Sequence, residues 1–129
     1  YGIIDEESRV LTYVNAGHNP PIVVHAGDRS MEELALTGIA LGAMEDVPFS
    51  QKTVTIAIGD VVVLYTDGVI EAVNAAQEMF GEDRLRKIVA ENAGRPAAGI
   101  LAAILDAITA FSGDQPQADD ITLMVIQGV

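Results

Sequence analysis

The sequence predicts an α+β fold in a single domain, and three observations predict it. The side-chain period is close to two before Gly68 and changes to 3.6 after it. Two strongly apolar runs, 61–66 and 121–126, each with a single threonine, indicate buried central strands. The second run follows the helical region, so the predicted order is strands, two helices and one strand that returns to the sheet. This order is an α+β layering and differs from a regular βαβ alternation.

Short strands separated by turns are predicted for the first half of the chain. Alternating and β-branched residues indicate the strands, and clusters of Gly, Pro, Asp and Asn indicate the turns. In chain order, the predicted strands cover residues 1–4, 9–15, 22–25, 52–58 and 61–66. Strict alternation in the fourth of these places Val54, Ile56 and Ile58 on one face. Residues 38–48 contain glycines and a proline without a clear period, which predicts an irregular connection.

Two amphipathic helices are predicted next. Apolar residues at helical spacing indicate a first helix over roughly 81–91. Pro96 suits the first turn of a second helix, whose apolar stripe continues to Phe111 and which Gly113 ends. At about 1.5 Å per residue, the second helix is long enough to lie across several strands.

Composition narrows the classes of function. The chain has 129 residues and a net charge of -12, which argues against nucleic acid or an anionic membrane as a partner. No apolar stretch is long enough to span a bilayer, and the N-terminus does not have the pattern of a signal peptide. A cytoplasmic protein is therefore expected. The absence of cysteine excludes disulfides and thiolate zinc sites. Because the chain starts at Tyr1 in strand-like sequence and without an initiating Met, it is expected to be a piece of a longer protein.

Two carboxylates at strand ends are the strongest indication of chemistry. Asp67 directly follows the first apolar run, and Asp119 lies just before the second, with Asp120 between them. If the two strands are antiparallel neighbours, these acids meet at one edge of the sheet, where a hard divalent cation would relieve their repulsion. Two alternatives remain open at this point. Asp67 could cap the helix that follows, and Asp119 and Asp120 could be solvated loop residues.

Three motifs in chain order resemble those of the metal-dependent protein phosphatases, also called the protein phosphatase 2C-like family. The motifs are Gly59-Asp60 followed by Tyr65-Thr66-Asp67-Gly68 and Glu71-Ala72, then Phe80-Gly81-x-x-Arg84-Leu85, then Ala118-Asp119-Asp120-Ile121-Thr122. The more specific similarity is to the bacterial SpoIIE/RsbU type. Also typical of that type are Asn15-Ala-Gly-His-Asn-Pro-Pro21 and Gly38-x-x-Leu41-Gly42. The resemblance covers essentially the whole chain.

The resemblance implies a fold and a position within it. Residues 1–129 would form the C-terminal portion of the phosphatase domain, which is an α-β-β-α sandwich of mainly antiparallel sheets. The chain would lack the N-terminal segment of that domain. An upstream Gly-Asp-x-x-Asp motif, whose acid bridges both ions in the family, does not occur here. The binuclear site is therefore not expected to close within this chain alone.

The resemblance also implies an activity and a set of site residues. The family hydrolyses phosphoserine and phosphothreonine with two Mn²⁺ or Mg²⁺ ions that activate a bridging water. Asp67 and Asp119 match the metal-binding acids, Gly68 forms the turn after Asp67, and Asp120 would support an ion ligand or cap the strand.

Two further residues are candidates for contact with a third ion. His18 and Glu71 lie near the positions where relatives carry additional acids. The alternatives are a loop histidine with local hydrogen bonds and a solvated helix acid. His25 is expected to be a surface residue of a strand.

The implied partners are those of bacterial signalling. The substrate would be a phosphorylated anti-sigma factor antagonist of the STAS type, and a sensor or receiver domain would lie upstream in the same chain. A homodimer is a further expectation, because a half-built sheet exposes strand edges. The competing hypothesis is a non-catalytic module, truncated or degenerate, that binds a regulator or forms oligomers. A third alternative is a generic acidic α+β domain with chance motifs.

Overall fold

The computed structural model describes residues 1–129. Its seven strands are β1 (Gly2–Asp5), β2 (Val10–Tyr13), β3 (Ile22–Val24), β4 (Met31–Glu33), β5 (Lys52–Thr55), β6 (Val61–Tyr65) and β7 (Leu123–Gln127). Its three helices are α1 (Asp67–Ile70), α2 (Gly81–Asn92) and α3 (Ala97–Ser112). The predicted order of strands, two long helices and a final strand is confirmed. The sequence did not predict the short strand β4, and it raised the one-turn helix α1 only as an alternative.

The strands form two antiparallel sheets. One sheet has three strands in the order β1-β2-β5, and the other has four in the order β4-β3-β6-β7. Every strand pair in both sheets is antiparallel. The predicted α+β class with mainly antiparallel sheets is therefore confirmed.

Two apolar clusters hold three layers together. Alternate residues of β6 explain the arrangement, because successive side chains of a strand point to opposite faces. Val61, Val63 and Tyr65 belong to a cluster of 14 buried residues between the four-stranded sheet and helices α2 and α3. Val62 belongs to a cluster of six buried residues between the two sheets. The layers are thus sheet, sheet and helices, and the outer face of the three-stranded sheet carries no helix of this chain.

The prediction that the last apolar run is a buried central strand is wrong. Strand β7 lies at the edge of the four-stranded sheet and pairs only with β6. Most of its residues are half-buried, and Met124 is 56% exposed. An apolar run shows that a strand can be covered, but it does not show how many strands lie beside it. The open edge of β7 is accordingly a surface with unpaired backbone groups.

The prediction of one continuous strand over 52–58 is also wrong in its second half. Strand β5 ends at Thr55, and the buried side chain of Ile56 joins the cluster between the sheets. Ile58 is 63% exposed, so it does not share the face of Val54 and Ile56. The cause is a turn in which the Asp60 amide donates to the Ala57 carbonyl at 3.0 Å.

A buried carboxylate closes this turn. Asp60 is 2% exposed and accepts hydrogen bonds from the amides of Ala26 at 2.8 Å and Ala57 at 3.0 Å. Its second oxygen also lies 3.0 Å from Nδ1 of His25, whose Nε2 lies 3.1 Å from the Glu32 carboxylate. His25 follows β3 and is only partly exposed, which corrects its assignment as a surface strand residue. The buried acid is stabilised because each of its oxygens receives a donor.

This pairing predicts a pH-dependent stability. The hydrogen bond to Asp60 raises the pKa of His25 and outweighs the effect of burial, with a further contribution from Glu32. Burial raises the pKa of Asp60, but hydrogen bonds from Ala26, His25 and Ala57 outweigh it and leave that pKa below its usual value. The stability from His25 is therefore complete below its unfolded pKa of about 6.5 and is lost as pH rises through its raised folded value. That from Asp60 is present above about pH 4 and is lost as pH falls through its lowered folded value.

We expect urea unfolding to show a lower free energy of unfolding at about pH 8 than at about pH 6, because the ordinary histidine pKa lies between these two values. His25→Gln should reduce this pH dependence, because it removes the titratable partner of the Asp60 and Glu32 carboxylates. The Asp28 carboxylate also lies near His25 and interacts with its charge. His18→Gln is the matched control, since His18 is exposed and has no carboxylate partner. An unchanged pH profile in His25→Gln would contradict the assignment.

Candidate functional site

Antiparallel pairing of β6 and β7 brings the predicted acids to one end of the sheet. Tyr65 is opposite Leu123, so the chain leaving β6 and the chain entering β7 lie side by side. The pairing continues beyond the strands, because the Thr66 amide donates to the Thr122 carbonyl at 3.1 Å. The expected adjacency of the two apolar runs is confirmed. Asp67 directly follows this paired region, and Asp119 lies shortly before it, separated from Thr122 by Asp120 and Ile121.

The hydroxyl of Thr66 joins the two acid-bearing segments. It donates to the Asp120 carbonyl at 2.9 Å and accepts from the Thr122 amide at 2.9 Å. Sequence reasoning missed this role, although the threonine stands immediately before Asp67 in the motif. The bridge fixes the spacing between the end of β6 and the start of β7.

Gly68 is required by close approach rather than by turn geometry. It lies in the first turn of α1, and it is not among the glycines with a positive φ. A Cβ at this position would lie 2.5 Å from the Asp120 carbonyl oxygen and 3.1 Å from that of Asp119. The absence of a side chain therefore lets the backbone of the second acidic segment pass against α1.

Both candidate carboxylates are exposed and only partly engaged. One oxygen of Asp67 accepts the Gly68 amide at 3.0 Å, and one oxygen of Asp119 accepts the Asp120 amide at 2.7 Å. The other oxygen of each carboxylate accepts no hydrogen bond from the protein. The N-cap of α1 is Thr66, so the alternative in which Asp67 caps that helix is wrong. Carboxylate oxygens in this state are suitable ligands for Mg²⁺ or Mn²⁺.

The acids of this chain do not form a complete metal centre. No three His, Cys, Asp or Glu side chains converge closely enough to hold an ion. Two hard oxygen ligands at one sheet end fit part of a magnesium or manganese site, because these ions retain several waters and take few protein carboxylates. Further ligands would have to come from other groups.

The remaining candidates lie at the same end but do not hydrogen-bond to the two acids. The side chain of Asp120 is exposed, while its amide and carbonyl support Asp119 and Thr66. Glu71 is exposed at the C-cap of α1. His18 is exposed, with Nδ1 2.9 Å from the Asn19 carbonyl, as expected for a locally bonded loop histidine.

A buried polar pair orders the loops beside this site. Asn15 and Thr37 are 6% and 9% exposed. The Asn15 amide donates to the Thr37 hydroxyl at 2.8 Å, and the Thr37 amide donates to the Asn15 carbonyl at 2.9 Å. The Asn15 side chain also accepts from the His18 amide at 2.9 Å. The pair thus ties the connection 14–21 to the connection 34–51, and the asparagine of the Asn-Ala-Gly-His motif was its only signal in the sequence.

Arg84 orders the segment that follows Asp67. Its guanidinium donates to the carbonyls of Met79 at 3.0 Å and Phe80 at 2.8 Å. It also lies 4.7 Å from the ring centroid of Phe111, and the Phe80 and Phe111 rings meet edge to face at 5.4 Å. Cation–π and aromatic contacts of this kind stabilise packing. The Phe-Gly-x-x-Arg motif therefore fixes the segment after α1 against the last turn of α3.

An apolar cleft lies between the edge strands β1 and β7, and its lining includes Asn15 and His18 but none of the candidate acids. Its volume is about 400 Å³, and its lining includes Tyr1, Ile4, Leu11, Met124 and Ile126. Eleven of its 15 lining residues are hydrophobic, so it is not a phosphate site. Both β1 and β7 are edge strands of their sheets, as are β5 and β4 at the opposite edges.

None of the three helices has the length and apolar character that a membrane crossing requires.

Comparison with known proteins agrees with this fold. Phosphoserine phosphatase RsbU of Bacillus subtilis is 27% identical over 98% of this chain and 37% of its own length. The structure of the RsbU and RsbW domains of Rv1364c from Mycobacterium tuberculosis matches with a TM-score of 0.78 and 28% identity, over 98% of this chain and 35% of that one. The SiaA-PP2C domain of Pseudomonas aeruginosa matches with a TM-score of 0.82 and 22% identity, over 96% of this chain and 48% of that one. The chain thus spans less than half the length of each.

The family profile described as Stage II sporulation protein E (SpoIIE) matches residues 1–128. Because this match covers nearly the whole chain, it shows that the chain belongs to the SpoIIE family.

Proposed function

We propose that this chain is the C-terminal part of a metal-dependent protein serine/threonine phosphatase domain of the SpoIIE/RsbU type. The observation that carries the proposal is the meeting of the Asp67 and Asp119 segments at one end of the β6–β7 pair. The similarity to the phosphoserine phosphatase RsbU supports the reaction class. The substrate is a phosphoserine or phosphothreonine of a regulatory protein.

Asp67 and Asp119 are the residues that would hold Mn²⁺ or Mg²⁺, because each carboxylate has an oxygen without a protein donor. The chemistry that such ions would supply is an activated water and polarisation of the phosphoryl group. Thr66 and Gly68 fix the distance between the two acidic segments through the hydroxyl bridge and the close backbone approach. The main chain of Asp120 supports Asp119, and His18 and Glu71 are the candidates beside a third ion.

The remaining ion ligands come from a further segment of chain that completes the sandwich. Three observations support this proposal: the uncovered outer face of the three-stranded sheet, the open edges of β1 and β7, and the apolar cleft between them. The chain's share of less than half of its relatives' length is consistent with it. We place the complete protein in the cytoplasm, joined to a sensor or receiver domain, with a STAS-type anti-sigma factor antagonist as substrate.

A second candidate function is a non-catalytic module that binds a regulator or forms a homodimer. The specific observations in its favour are the incomplete set of ion ligands and the exposed strand edges within this chain. An intact Gly-Asp-x-x-Asp motif in the complete protein would favour the enzyme over this module.

The proposal predicts an absolute requirement for a divalent ion. The complete domain should hydrolyse a phosphoserine protein or p-nitrophenyl phosphate with Mn²⁺ or Mg²⁺ and lose that activity in excess EDTA. Restoring Mn²⁺ should restore turnover, which distinguishes ion removal from denaturation. Full activity that persists in EDTA would refute metal-dependent hydrolysis.

A further inference from the structure

The connection between β4 and β5 exposes an unusual share of large apolar side chains. Of the 13 large hydrophobic residues that are exposed in the chain, five lie between residues 36 and 49. We name residues 36–49 the apolar loop, and its exposed large apolar residues are Leu36, Ile39, Leu41, Met44 and Phe49. Leu41 is 77% exposed and Met44 is 69% exposed. Apolar side chains concentrated in one surface segment often mark a protein interaction site.

The base of the apolar loop is held in place by polar contacts. The Ser50 amide donates to the Thr37 carbonyl at 3.1 Å, which draws the two ends of the loop together. Thr37 is in turn bonded to Asn15 in the buried pair described above. The ring of Phe49 packs on Gly38, where a Cβ would approach it too closely. Because the base is fixed, docking on the loop costs less ordering entropy than docking on a free segment.

The loop also lies at the end of the sandwich that carries the candidate acids. Ile22 of β3 pairs with Glu33 at the end of β4 and with Val63 in the middle of β6, and both of these strands run antiparallel to β3. The chain therefore leaves β4 for the loop at the same sheet end at which β6 leads to Asp67. If a protein binds to the apolar loop, the residues that flank its bound segment would lie close to the sheet end that carries Asp67.

Charge restricts the kind of protein that fits. The only ionisable side chains of the apolar loop are Glu45 and Asp46, and both are exposed. The same end of the sandwich carries the exposed acids Asp67, Asp119 and Asp120. An acidic surface repels a phosphorylated segment unless that segment also carries basic residues, and it attracts basic residues during encounter.

We propose that the apolar loop docks the phosphoprotein substrate, and that the docked segment carries apolar and basic residues next to its phosphoserine. This inference rests on the proposed phosphatase function and specifies its substrate. The apolar residues of the substrate pack against Leu41 and Met44. The basic residues face Glu45 and Asp46, which places the phosphoserine toward the Asp67 end.

The test measures kcat/KM of the complete domain on three probes. Two are short phosphoserine peptides, one flanked by Leu and Lys and the other by Ser and Glu, and the third is p-nitrophenyl phosphate. The wild type should prefer the Leu and Lys peptide. The double variant Leu41→Ser with Met44→Ser should lower kcat/KM for that peptide by about tenfold, in the range found for central interface residues, and leave p-nitrophenyl phosphate unchanged. Leu105→Ser is the matched control, because Leu105 is an exposed leucine on α3.

The outcomes separate the docking proposal from the proposed reaction. A reduced preference for the Leu and Lys peptide in the double variant, with unchanged p-nitrophenyl phosphate hydrolysis, supports docking. Equal preference in the double variant and the wild type overturns it. A fall in thermal stability together with loss of p-nitrophenyl phosphate hydrolysis also overturns it, because the loop would then pack inside the complete protein. Full turnover in Asp67→Asn would instead refute the phosphatase site itself.

Discussion

Asp67→Asn and Asp119→Asn are each expected to abolish most metal-dependent turnover of the complete domain. Each change removes one negative charge from an ion ligand and keeps the volume of the side chain. Loss of several kcal/mol of charge stabilisation by a metal ion corresponds to a rate reduction of about a hundredfold or more. Because both carboxylates are exposed and make only one short-range hydrogen bond each, the free energy of unfolding should change little. Steady-state rates with saturating Mn²⁺ and a thermal melt of each variant provide the measurement.

Asp120→Asn is the matched control for these two variants. The side chain of Asp120 makes no hydrogen bond, and its amide and carbonyl, which support Asp119 and Thr66, are retained in asparagine. Its turnover should therefore stay within a few fold of the wild type, an effect of less than about 1.4 kcal/mol. If Asp120→Asn proves the most damaging of the three, the second ion ligand is Asp120 and the assignment of Asp119 is wrong.

The sequence predicted the site end of the fold because local patterns define it. Apolar runs bounded by Asp67 and Asp119 indicated two adjacent strands, and their antiparallel pairing is present in the structure. The periodicity could not predict the number of neighbours of each strand, so β7 was expected in the centre and lies at an edge. Ile58 is a second example of a position that periodicity did not predict. The alternating pattern placed it on the face of Val54 and Ile56, and it gave no indication of the turn that exposes Ile58.

Contacts between distant residues explain what the sequence did not reveal. The pairs Asn15 with Thr37, His25 with Asp60 and Arg84 with Phe111 are each separated by more than 20 positions in the chain. Polar and aromatic residues of these kinds occur in many loops and helices, and only the fold identifies their partners. Thr66 is similar, since its hydroxyl could have remained solvated if β7 did not lie beside β6. The meeting of the two acid-bearing segments was therefore predictable, whereas the groups that hold these segments together were not.

Gly68→Ala is expected to destabilise the fold and to disturb the site at the same time. The added Cβ would lie 2.5 Å from the Asp120 carbonyl oxygen, a distance that requires one backbone segment to move. The opposing atoms belong to the main chain, so no side-chain rotation can relieve the contact. Overpacking at a buried position costs about 1–3 kcal/mol. Movement of the 119–120 segment would also weaken the hydrogen bonds of the Thr66 hydroxyl to Asp120 and Thr122.

Gly27→Ala and Thr66→Val separate the two effects of that substitution. A Cβ at Gly27 would meet nothing within 4 Å, and Gly27 has no positive φ, so this variant should match the wild type in urea unfolding. Thr66→Val removes the hydroxyl bridge without a clash, so it should lower turnover by loosening the spacing of the two acids, while costing about 1 kcal/mol of stability. Gly68→Ala should show the larger loss of both quantities, because it displaces the backbone that Thr66 only anchors. If Gly68→Ala unfolds at the same urea concentration as Gly27→Ala and retains full turnover, the close approach of α1 and the Asp119 segment does not determine the geometry of the site.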